Sequence, residues 1–334
     1  MRVLIFVVTT LLSAICIFSM YECRQKPAAP SQQIFSWYTP GIKKLEANVD
    51  KLCTALATNQ SSATIHEAFS ASRIAYKEIE VLAAYLHPST VQLMNGQGGD
   101  MTMYRNGHAF QQLESLIYPE LHATDAQQAY IAARKLADAV KTLCQGNNHP
   151  APTDGQLFDA MRLELVRIIS LGISGFDSPQ AYQSLREAAA SLRGIESVWS
   201  LYTDRVNIYN PSLVKYTDEL IDAAIRQLEH STTSTFDRQL FISDYMNHLS
   251  VNFKLSREAL SIPYDDNAYA LDPAASNIFA RDAVHPLYFS ADALHDSAGN
   301  NDPLYEINGQ QFRASYMYTL LQQNGGLNSV AADN

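Results

Sequence analysis

His108, Gln111 and Glu114, spaced at steps of three, are the nearest this sequence comes to a metal-binding set. On a helix that spacing places them on neighbouring positions of one side. An imidazole and a carboxylate there can coordinate a metal with help from a facing helix. The same residues have a plainer use. Gln111 and Glu114 can bond polar groups between helices, since buried polar groups usually satisfy one another, with His108 half exposed near the helix start. The nine histidines otherwise contain no HExxH, no HxH and no pair at i, i+4, the spacings that build zinc sites.

Arg162, Glu164 and Arg167 interrupt a nearly all-apolar run. Buried charges of that kind must be paired, either in salt bridges between helices or with the carboxylate of a ligand. Glu78 and Glu80, beside Tyr76, are two apart and face different sides of a helix, so they form no paired acid/base site. Arg73 and Lys77 at i, i+4 read as a solvated face. Ser170 and Ser174 lack the nucleophile-elbow context. The glycines at 96, 98 and 99 follow no strand and lack phosphate-cradling spacing, so they read as a loop. Trp37, Trp199 and the many tyrosines read first as packing residues.

The elements that must carry these residues are helical. Apolar residues recur at steps of three and four through 35–57, starting at Pro40 and Gly41, and through 64–86, which ends before Pro88. Further helices are expected over 107–118, 125–143 and 156–171. Beyond them the pattern predicts one long helix over 181–209, opened by Asp177 or Ser178 with Pro179 and bent near Gly194. Two more follow, from Pro211 to about residue 230 and over 236–260. After Pro263 the pattern weakens, and only 311–323 looks helical again. Almost nothing reads as a strand. The expectation is an all-α protein: two tandem antiparallel helical bundles, 35–148 and 154–262, with an irregular tail over 263–334. The polar run 145–155 divides the halves.

The chain of 334 residues carries a net charge of −10, which argues against nucleic acid, whose binding needs clustered Lys and Arg. Residues 1–22 combine one Arg with an apolar run, the pattern of a secretory signal or a signal-anchor. Export to the periplasm or cell envelope follows, with the membrane reached only through this segment, Cys23 a candidate for lipidation, and 23–34 a tether. Cys53 and Cys144 can pair in an oxidising compartment or remain two small buried thiols.

Several blocks also resemble a known family. They are Ser70-Ala71-Ser72-Arg73, Tyr76 to Glu80, Pro88-Ser89-Thr90 with Leu93, Asn95 and Gly96, and Ala109 to Glu114 with Leu116 to Pro119. In the second half they are Arg162 to Ile168, Leu171 to Pro179, Glu187-Ala188, Thr235 to Arg238 and Asn277-Ile278-Phe279. Together they resemble the imelysin-like helical region that precedes the di-haem domain in cytochrome c peroxidases of Bacteroidetes-type bacteria. The match spans roughly 40–290, with Gly175 to Pro179 its most specific part. More distantly the chain is similar to imelysin and EfeO-type periplasmic iron-related proteins, whose GxHxxE motif holds a metal. Gln111 and Glu114 fall on that motif, with Gln in place of its His, a poorer ligand for transition metals; His108 lies one turn earlier.

The sequence has no CxxCH for covalent haem. The resemblance therefore implies a non-catalytic exported module associated with a di-haem peroxidase-type partner or an envelope iron or haem process. The alternatives are an imelysin-like protein that binds iron or haem, and peroxidase activity with haem supplied by a partner.

Overall fold

Ser61, Thr153, Asn210 and Asp237 each accept a hydrogen bond from a backbone N–H three residues on, and so fix four helix starts. Thr153 and Gln156 form a reciprocal capping box, and Asn210 is followed by Pro211 at the first helical position. The computed structural model describes residues 29–95, 109–146 and 151–264, Ala275, and the backbone of strands at 304–307 and 310–313. The helices are α1 (Pro30–Ala57), α2 (Ser62–Leu86), α3 (Pro88–Asn95), α4 (Ala109–Ile117), α5 (Ala126–Gln145) and α6 (Asp154–Arg167). They continue as α7 (Ser184–Trp199), α8 (Thr203–Tyr209), α9 (Pro211–His230), α10 (Arg238–Phe241) and α11 (Asn247–Ala259). Wider π turns at Ile168–Gly172 and Ile242–Met246 extend α6 and join α10 to α11. The protein is all-α in its described body.

Several expected boundaries move. α1 starts at Pro30 and runs through Pro40, so part of the expected tether is helical. Pro40 and Ser36, whose carbonyl the missing N–H leaves unbonded, are both exposed, and water can take that carbonyl. The long helix expected over 181–209 is two helices. At the break, the amides of Leu201 and Tyr202 bond carbonyls three residues back rather than four. Pro179 opens only a single turn, which Tyr182, in the left-handed region at φ +55°, cuts off before Ser184. In the tail, Leu304–Ile307 (β1) and Gln310–Arg313 (β2) pair antiparallel, so residues 311–313 of the helix expected over 311–323 are strand.

One contiguous apolar core runs from Ile34 to Ile262. α2 is its axis, packing on α1 to one side and on α7 and α6 to the other. The polar run at 145–155 therefore divides the connectivity, while the two helix sets share a core. Two glycines permit the closest approaches. A Cβ at Gly41 would overlap Ile79 of α2, and one at Gly194 would overlap the Glu78 carbonyl oxygen, so α7 can cross α2 nearly backbone to backbone. No described helix is long and apolar enough to cross a membrane. The signal or anchor segment and Cys23 lie outside the described residues.

Candidate functional site

The second face of α2 is charged and buried. Arg73 and Lys77 are 1% and 2% exposed, which corrects the solvated face expected for them. The solvent-reaching strip of α2 runs through Thr64, Glu67, Ala71, Ile74 and Glu78, and Arg73 and Lys77 project from the buried side of the helix, away from it.

Arg73 makes a fork on α7. Its Nε donates to Glu187 Oε1 at 3.0 Å and its Nη2 to Glu187 Oε2. Nη2 also donates to the Asp177 carbonyl at 2.9 Å, and Nη1 to Asn95 Oδ1 at 2.5 Å. Lys77 bridges Asp177 Oδ2 at 2.5 Å and Glu80 Oε2 at 2.6 Å. Tyr76 and Ser191 hydroxyls complete Glu80, at 3.0 and 3.3 Å. Burial alone would raise Asp177, but Lys77 and Arg73 overrule it and hold its carboxyl below the usual range. For Glu187 burial outweighs Arg73, and its carboxyl is raised. Lys77 is raised, since Asp177 and Glu80 overcome a burial effect of opposite sign.

Asn95, the last residue of α3, orients the rest. Its Nδ2 donates to Asp177 Oδ1 at 3.2 Å, so its Oδ1 faces Arg73 and also accepts from Gln111 Nε2 at 2.7 Å. That fixes the Gln111 amide and leaves its Oε1 buried with no hydrogen-bond partner among the described residues. One turn on, Glu114 Oε1 accepts from the amides of Gln180 and Ala181 at 3.0 and 2.8 Å and from Ser178 Oγ at 3.4 Å. These are first-turn amides, so the carboxylate caps the single turn that Tyr182 N–H closes on the Ser178 carbonyl at 3.2 Å. Burial pushes the Glu114 carboxyl up to about 7 against those amides and Arg73. The turn ends at Tyr182, which is exposed and has φ +55°.

Of the metal set, Gln111 and Glu114 thus share one buried side of α4, and His108 lies outside the described residues. The two oxygens fit iron or haem poorly on their own: an amide is a weak ligand, and Glu114 already serves three donors. Among the described residues no group of three or more His, Cys, Asp or Glu could hold a metal ion.

Of the second set, Glu164 is fully buried and Arg167 Nη1 stands 3.6 Å from its Oε2. Arg162 donates to the Ala275 carbonyl at 3.3 Å. Of the pairing expected for these charges, the described contacts supply only the Arg167–Glu164 approach and the bond from Arg162 to a backbone carbonyl.

Cys53 and Cys144 are free thiols. Cys144 lies among Glu46 and Lys43, and Cys53 among Arg134, Asp50 and Asp138.

Sequence reasoning missed the joining of Arg73, Lys77 and Glu80 to Asp177 and Glu187. The signal that could have found it is helical phase: Arg73, Lys77 and Glu80 fall on the side of α2 away from Glu67 and Glu78, which reach solvent. No protein-family model matches the chain, and a search of curated proteins found no match.

Proposed function

We propose that the chain is an exported, non-catalytic helical module that docks with a di-haem peroxidase-type partner or serves an envelope iron or haem process. The observation that supports this reading is convergence. The segments carrying the imelysin-like resemblance, around Arg73, Asn95, Glu114, Asp177 and Glu187, lie far apart in sequence yet meet in one buried cluster. Within it the charged groups engage other protein groups, the pattern of a brace that fixes a body rather than a centre that turns substrate over. The test is co-elution of the purified chain with a di-haem protein bearing paired CxxCH motifs, alongside a peroxide-reduction assay of each alone. A stable complex, with peroxide reduction confined to the haem protein, is expected. Peroxide reduction by this chain unaided would overturn the reading.

A second reading, iron or haem binding of the imelysin kind, draws on Gln111 Oε1, which has no hydrogen-bond partner among the described residues and lies one turn from Glu114. Metal analysis of the purified protein decides it. Stoichiometric iron that disappears in Glu114→Ala would replace docking alone with metal binding.

A further inference from the structure

Where α2, α6 and α7 cross, four acids (Glu80, Glu164, Asp177 and Glu187) face three cations, Arg73, Lys77 and Arg167. Three of the acids are matched. Glu187 takes the Arg73 fork, Asp177 takes Lys77 and Asn95, and Glu80 takes Tyr76, Lys77 and Ser191. Glu164 is different. It is 0% exposed, and neither of its oxygens has a hydrogen bond of ordinary geometry among the described residues; the polar group beside them is the Ser191 hydroxyl, already donated to Glu80. The nearest cation, Arg167 Nη1, stands at 3.6 Å, beyond hydrogen-bond reach. A carboxylate so placed would be a buried charge without solvation, whereas a neutral carboxyl is far cheaper to bury.

We propose that Glu164 keeps its proton in the folded protein at neutral pH, and that losing it loosens α6 from α2 and α7. The joint between the two helix sets thereby carries an alkaline release. The groups facing Glu164 are Tyr76, Lys77 and Glu80 from α2, Ser191 from α7, and Arg167 on its own helix. Burial pushes its carboxyl well above the ordinary range, Glu80 pushes the same way, and Arg167 and Lys77 oppose them. A carboxyl raised on folding contributes stability that is fully present below its unfolded pKa. That contribution is lost as pH rises through the folded value. The π turn at Ile168–Gly172 begins four residues on, so a wider and less regular backbone lies next to the group that would give way.

The test compares thermal melts of the full chain and Glu164→Gln from about pH 5 to about pH 9, since Gln keeps the shape and cannot ionise. The wild-type melting temperature is expected to fall relative to the variant as pH rises, with Glu114 present in both. Curves that run parallel would overturn the proposal. Should Glu164→Gln not fold, infrared spectroscopy of Glu114→Gln supplies the second reading. A neutral-carboxyl band at neutral pH that bleaches in alkali is expected, and its absence there would overturn the proposal equally.

Discussion

The two faces of α2 hold the molecule together by different means. Toward α1 and α4 it presents Ile65, Phe69 and Ile79, packed on aliphatic and aromatic side chains such as Phe110 at 6.0 Å between ring centres. Toward α7 it presents Arg73, Lys77 and Glu80, each bonded to a named group. Apolar contacts are non-directional, so a lost methyl group is partly absorbed by neighbours moving in. Charges out of water have no such tolerance. Removing one partner leaves the other buried and unpaired.

That contrast can be broken in several places. Arg73→Ala should have the largest effect, about 3–5 kcal/mol, because it strands Glu187 and weakens the hold on Asp177; a urea unfolding midpoint measures it. Leu82→Ala, buried on the same helix, should cost about 2–4 kcal/mol by the same measurement. If it costs more than Arg73→Ala, the ranking of the two faces is wrong. Gly194→Ala should cost about 1–3 kcal/mol, since a methyl group there meets the Glu78 carbonyl and pushes α7 off α2.

A pH series sharpens the comparison. The Glu114 carboxyl, raised to about 7, contributes stability that is full below its unfolded pKa and lost as pH rises toward that value. Wild type should therefore lose ground to Glu114→Gln between about pH 5 and about pH 7. The smallest effect belongs to the solvated pair Lys215–Glu219 at 3.7 Å. There Lys215→Ala should leave the midpoint unchanged within error.

The sequence discloses the helices, because apolar spacing and caps are local properties. Ile42, Leu45, Val49 and Leu52 recur at helical steps and all are buried in α1. It discloses the charged joint badly. Arg73 and Glu187 stand 114 residues apart, and nothing in either neighbourhood names the other. Arg73 and Lys77 even mimic a familiar surface pattern at i, i+4. Glu114 and Gln111 were legible as a pair on one side of a helix. What they touch was not, since Asn95 and the 178–181 turn come from distant chain.

The shared core has a practical consequence for protein dissection. Arg73, Lys77 and Asn95 precede residue 146, while Asp177 and Glu187 follow residue 151. Separately expressed fragments split between those points would each carry a complementary half of one lock, poorly soluble alone and able to reconstitute when mixed.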